Sequence, residues 1–352
     1  MKESKINLFQ KYLTIWVLLA MSLGVLIGYL LPNFSRFLSS LEIGNVNIPI
    51  AVLIWFMIYP MMLKIDFTSI KRIKDQPKGL FLTWTVNWLI KPFTMFGIAV
   101  LFFQIIYSSI IPADLAKDYI AGAVLLGAAP CTAMVFVWSS LVKGNPAYTL
   151  VQVATNDLII LFLYVPIVGL LLGIGGFSIP WLTLFISIVL FIVIPLVFAV
   201  ITRLIIIKKK GKEYLEEKVI KKLDPFTSVG LLVMLVLLFT MQSAVIIDNP
   251  LHILLIAIQL VLQTLLIFMV SALGSKLLKL PYDIAAPANF VGTSNFFELA
   301  VAVAIALFPL NPGVSLATVV GVLVEVPVML MLVKVTNRYR SKMVIDIRNI
   351  IN

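Results

Sequence analysis

Apolar residues run through this chain in long, nearly unbroken blocks separated by short polar segments. Ten blocks follow in order: residues 13–31, 48–63, 79–106, 119–141, 147–173, 181–207, 226–246, 252–276, 284–310 and 314–335. Helices of about 16 to 30 apolar residues can cross a hydrocarbon layer roughly 30 Å thick. The pattern predicts an all-α polytopic membrane protein with ten transmembrane helices.

Two blocks are not uniform. The fourth carries Gly127, Ala128, Ala129, Pro130 and Cys131 at its middle. Proline has no N–H, and its ring crowds the carbonyl four residues back, so the helix should break there. The ninth carries Gly292, Thr293, Ser294 and Asn295 side by side. Short polar side chains compete for backbone hydrogen bonds, which favours a second break. Interrupted membrane helices are tolerated only where they line a cavity or lie buried in protein. In transporters they mark the substrate site. The two breaks should therefore meet near the midplane as crossed half-helices.

Composition strengthens the membrane reading. The chain of 352 residues is 61% hydrophobic and 12% charged, against about 25% charged in soluble proteins. Its net charge of +11 would suit nucleic acid, but the distribution says otherwise. With both termini cytoplasmic, 24 Lys and Arg fall on cytoplasmic segments, Arg36 and Lys117 outside, and Lys91 within a span. That bias is the positive-inside rule, and it predicts a multi-pass protein of the cell membrane. The first block is of full spanning length and lacks a small-residue cleavage site, so no cleavable signal is expected. A single cysteine excludes an intramolecular disulfide.

The basic stretch 208–224, KKKGKEYLEEKVIKKLD, divides the chain into two sets of five spans. Five is odd, so the halves should lie in opposite orientation, as in inverted-repeat transporters. Ala128-Ala-Pro130 matches Ala285-Ala-Pro-Ala288, and Val165-Pro-Ile-Val168 matches Val326-Pro-Val-Met329. The expected organisation is a first repeat plus span six over 1–207, a cytoplasmic loop over 208–225, spans seven to ten over 226–336, and a cytoplasmic tail over 337–352.

An ionisable group inside a span is costly and is a functional candidate by default. Four qualify: Lys91, Asp157, Glu298 and Glu325. Cys131 adds a soft sulfur just after a break, where the positive end of a half-helix favours thiolate, a ligand for soft metals and metalloids. The plain alternative is a small buried hydrophobe. Glu298 follows Ser294 and Asn295 by four and three residues, which would place all three on one helix face. A buried carboxyl there can exchange protons, ligate sodium, or bond across helices. Asn156 and Asp157 fit a cavity lining or interhelical bonding equally well. Glu325 should face the bundle interior, and Lys91 should pair with an acid or snorkel. Thr132 and Asn289 complete the candidate lining. Trp84, Trp138 and Trp181 read as interfacial belt or packing residues, and His252 has no evident acid–base partner.

No GxGxxG, Walker, HExxH or paired-cysteine motif is present. Neither an enzyme nor ATP-driven transport within this chain finds support, and no cofactor is expected.

Two stretches carry a family resemblance. GAAPCTAMVFVWSSLVKGNPAYTLVQVATNDLIILFLYVPIVGLLLG (127–173) and PANFVGTSNFFELAVAVAIALF (287–308) resemble the Acr3 arsenite efflux permeases of the bile acid/sodium symporter superfamily. The resemblance covers the full length, with one cysteine in the fourth span and a glutamate in the ninth. It implies a panel domain of spans 1, 2, 6 and 7 and a core domain of spans 3–5 and 8–10. It implies that Cys131 and Glu298 are required, and that arsenite (with antimonite a second candidate) leaves the cell in exchange for protons. No ATPase subunit is obligatory; the remaining partner is membrane lipid. The residues also admit a sodium-coupled symporter of a bile-acid-like anion and, from another class, a non-transporting membrane receptor, which leaves the two breaks unexplained.

Overall fold

The computed structural model describes residues 12–43, 46–64, 77–132, 134–177, 181–308 and 311–351. In chain order the elements are α1 (Leu13–Leu30), α2 (Pro32–Ser40), the two-residue strands β1 (Glu42–Ile43) and β2 (Val46–Asn47), and α3 (Ile48–Lys64). There follow α4 (Pro77–Ile106), α5 (Ala113–Gly127), α6 (Met134–Leu141), α7 (Pro146–Ile174) and α8 (Trp181–Lys210). The chain closes with α9 (Lys221–Met241), α10 (Ser243–Asp248), α11 (Pro250–Leu277), α12 (Tyr282–Thr293), α13 (Phe297–Leu307) and α14 (Pro312–Ile351). Five unbroken helices among the described residues can each cross a bilayer: α4, α7, α8, α11 and the part of α14 from Pro312 to Arg340. The helix surface is apolar on the outside, with Phe162 74% and Leu182 72% exposed. That reversal of the soluble pattern is what lipid contact requires.

Two prolines shape the long helices in the same way. Pro92 and Pro195 cannot donate to the carbonyl four residues back. The turn before each widens into a π-helix, Val86–Ile90 and Val189–Val193. The residue ahead of each proline then bonds five residues back: Lys91 N–H to Val86 O, and Ile194 N–H to Val189 O. A π-turn rotates the side chains that follow it, and such turns recur at functional positions.

Packing divides the helices into two bodies. In the panel, α1 lies against α9, and α3 against α8 and α9. A Cβ at Gly24 would come 2.6 Å from Val236 O, so only glycine permits that approach. Thr240 Oγ1 donates to Gly24 O at 3.1 Å. Trp55 Nε1 donates to Leu190 O, Tyr59 OH to Thr202 Oγ1, and Arg203 to Leu63 O, each at 2.9 Å. In the core, α4, α5, α7, α11, α12, α13 and α14 pack together. Gly122 brings α5 to within a Cβ's reach, 2.5 Å, of Val314 O on α14. The bodies meet where the first half of α8 lies on α7 and α13, with the Trp181 ring seated over Gly169.

At the end of α1 the chain turns through 103° into α2, which carries Phe34 and Phe37 exposed. Ser35 Oγ ties α2 to Thr240 O at 2.9 Å.

Two expectations require correction. The 208–225 segment is helical rather than a loop: α8 runs to Lys210, Gly211 turns the chain at φ 85°, and helix resumes at Lys212. Its alternating Lys and Glu support that helix through exposed i,i+4 pairs, Lys212 with Glu216 and Lys221 with Glu217. The second concerns Pro287. It sits inside α12, whereas Pro130 lies in the break, so the matched Ala-Ala-Pro motifs are not structurally equivalent.

Candidate functional site

Both interruptions form. α5 ends at Gly127 and α6 starts at Met134; α12 ends at Thr293 and α13 starts at Phe297. Between them the chain is extended, with Ser294 at φ −73°, ψ 147°. The two extended pieces pair antiparallel, Pro130 opposite Asn295. Cys131 N–H donates to Ser294 O at 3.3 Å, and Phe296 N–H donates to Ala129 O at 2.9 Å. Each break thus satisfies backbone groups that its partner would otherwise leave unpaired inside the membrane.

Charged and reactive side chains converge on this crossing. Cys131 is 1% exposed, beside the Ser294 hydroxyl and the Met134 N–H. Lys91 Nζ donates to Ser294 O at 2.9 Å. The Ser294 hydroxyl donates to Glu325 Oε1, which also accepts Asn295 N–H at 3.2 Å. Ser294 therefore stands between Lys91 and Glu325, which lie in each other's field. Glu298, fully buried in the first turn of α13, lies in the field of Glu325 and Cys131. Among the described residues its two carboxyl oxygens have no hydrogen-bond partner, and neither do Glu325 Oε2, Asn295 Oδ1 and Thr132 Oγ1. The result is a buried site rich in oxygen acceptors, with one thiol and one ammonium.

The candidates divide accordingly. Lys91, Cys131, Thr132, Ser294, Asn295, Glu298 and Glu325 meet at the crossing. Ser294, Asn295 and Glu298 do not share a helix face, because the first two lie in the extended break and α13 begins only at Phe297. Asn156 serves interhelical bonding: its Oδ1 accepts Asn87 Nδ2 at 3.2 Å and Trp88 Nε1 at 3.0 Å. Asn289 bridges α12 to Ser271 and Ser275 of α11; with its amide nitrogen toward α11 it donates to Ser271 O at 3.0 Å. Asp157 is buried, with both oxygens unpartnered among the described residues. Trp138 is fully buried packing, Trp84 bonds to Thr155, and Trp181 is 53% exposed. His252 does have a partner, Tyr119 OH at 2.8 Å from its Nδ1.

Sequence reasoning passed over Gln259 and Gln263, both buried on α11. Gln263 Nε2 donates to Thr94 Oγ1 at 3.0 Å and to Lys91 O at 3.3 Å, fixing the backbone that carries the lysine. Two amides one turn apart in an apolar span were the available signal.

Residues 51–249 match the model of the Sodium Bile acid symporter family. The chain belongs to that family. Within the family, it is 59% identical over 335 residues to the arsenical-resistance protein Acr3 of Alkaliphilus metalliredigens, covering 95% of this chain and 94% of that one. It is 32% identical over 343 residues to the Acr3 protein of Corynebacterium glutamicum, covering 94% and 90%. An uncharacterized transporter of Synechocystis is 45% identical over 342 residues, covering 95% and 89%. These matches place the chain with the Acr3 arsenical-resistance transporters, multi-pass membrane members of the symporter family.

Proposed function

We propose that this protein exports arsenite from the cytoplasm across the cell membrane in exchange for protons, with Cys131 as the substrate ligand and Glu298 as the proton carrier. The observation that carries the reading is the meeting of a lone thiol and an unpartnered carboxyl at the crossing of two broken helices.

Arsenite near neutral pH is uncharged As(OH)₃. The Cys131 thiol can condense with it, forming one S–As bond and releasing one water; hydrolysis reverses the step. No electron is transferred. A single sulfur holds the metalloid more weakly than three would, which suits a carrier that must let go. Thr132 Oγ1 and Asn295 Oδ1, buried and without partners among the described residues, would bond the remaining As–OH groups. Asn295 Oδ1 accepts from such a hydroxyl, and Thr132 can accept or donate.

A neutral cargo gains nothing from membrane potential, so a coupled ion must supply the energy. Lys91 faces Glu325 across Ser294, which leaves Glu298 as the second carboxyl without a balancing cation. An uncompensated buried charge is costly, so Glu298 rests protonated in the closed site. Its place in the first turn of α13 helps hold the anion once the proton leaves. Cys131 is enclosed on all sides, so cargo and proton reach the crossing only when the core shifts against the panel. Two halves of five spans in opposite orientation would bring the breaks together antiparallel in just this way, and both termini would then lie in the cytoplasm. No ATPase subunit is needed.

The test is arsenite accumulation in everted membrane vesicles under an imposed proton gradient. Uptake that requires both the gradient and Cys131 supports the proposal. Uptake driven by sodium, and indifferent to Cys131→Ser, would replace it with an organic-anion symporter.

A further inference from the structure

Lys91 is the one buried lysine among the described residues, and three elements hold it. Pro92 opens the π-turn that precedes it on α4. Gln263 of α11 bonds its carbonyl. The Ser294 carbonyl, exposed by the break in span nine, receives its ammonium at 2.9 Å. Ser294 links that ammonium to Glu325, whose Oε1 accepts the Ser294 hydroxyl, and the same crossing holds Glu325 Oε2, Asn295 Oδ1 and Thr132 Oγ1 without hydrogen-bond partners among the described residues. All three side chains are more than nine-tenths buried. A freed backbone carbonyl with a carboxylate and neutral oxygens is the kind of ligand set that unwound transporter helices offer to a coupling sodium ion.

We propose that the Lys91 ammonium is a tethered substitute for that ion. It fills the cation position at the crossing, so the carrier needs no sodium although its family is named for sodium symport. A cation fixed to α4 cannot leave with the cargo, so it holds the Ser294 carbonyl and balances Glu325 without drawing on a sodium gradient. That leaves the proton on Glu298 as the exchanging charge. The inference rests on reading the crossing as the transport site, but its test needs no arsenite.

The purified full-length protein is melted in sodium chloride and in choline chloride at equal ionic strength. The native chain should melt at the same temperature in both. Lys91→Ala should melt lower in choline, and sodium should raise its midpoint saturably, by about 2 °C or more. Lys91→Arg keeps the charge and should be indifferent to sodium. Saturable sodium stabilisation of the native chain would overturn the proposal, as would an alanine variant that ignores sodium. If the alanine chain is recovered in neither salt, Lys91→Gln is melted the same way. Failure of both variants to fold in sodium also overturns it, since sodium then does not replace the ammonium. Loss of arsenite transport with these melting results intact would refute the assigned cargo alone.

Discussion

The two breaks reach the same shape by different means. The first is made by the covalent chain: Pro130 forbids a helical hydrogen bond whatever surrounds it. The second has no proline. Ser294, Asn295 and Phe296 stay extended because other groups take their bonds: Lys91 on the Ser294 carbonyl, Glu325 on the Ser294 hydroxyl and the Asn295 N–H, Ala129 O on the Phe296 N–H. A break imposed by proline spends no side chain, so the Cys131 thiol is not needed to hold it open. A break imposed by hydrogen bonds ties the backbone to charged residues on α4 and α14, so any change in their protonation acts on the backbone itself. On the proposed function, cargo chemistry and charge coupling would be divided between the two strands of one crossing.

The largest expected effect lies on the thiol side. Cys131→Ser should lower gradient-driven arsenite accumulation to that of empty vesicles, because oxygen cannot replace the S–As bond. Native-level uptake would show that the first break has no chemical role. On the charge side, Glu298→Gln should abolish uphill accumulation under a proton gradient yet keep arsenite–arsenite exchange at equal pH. Retained uphill transport would move the coupling to another group.

A smaller effect should follow from Ser294→Ala. It removes the hydroxyl from buried Glu325 but leaves the carbonyl for Lys91, at a cost of about 1–3 kcal/mol, read as a lower melting midpoint. Pro130→Ala should cost less and keep partial transport, since the bonds from Cys131 to Ser294 and from Phe296 to Ala129 hold the crossing without the proline. A larger loss than in Ser294→Ala would reverse the ranking of the two breaks. The smallest effect is expected at Asp157→Asn, outside the crossing, where uptake should match the native chain.

Both breaks were legible because their causes are local: a proline in one span, a run of Gly, Thr, Ser and Asn in the other. The spans were legible from hydropathy, and so was the candidacy of Cys131 and Glu298. The pairing of Lys91 with Ser294 was not, since it joins residues 203 positions apart. The π-turn ahead of Pro92 that aims the lysine depends on a hydrogen bond the chain cannot make. Asn156 fitted cavity lining and interhelical bonding equally, and Asn289 looked like lining, because a buried amide in an apolar span reads the same whether it meets cargo or a neighbouring helix. The Ala-Ala-Pro match misled for a related reason. A proline within a well-packed helix such as α12 is tolerated where neighbours take up the freed groups, so identical triplets need not mark identical geometry.

The sharp turn from α1 into α2 has its own consequence. A helix lying nearly at right angles to a span runs along the membrane surface, and Phe34 and Phe37 give it purchase at the boundary between headgroups and acyl chains. Ser35 fastens it to α9. If the core shifts against the panel as proposed, α2 would moor the panel at a fixed depth, like a hull with an outrigger, while the core travels.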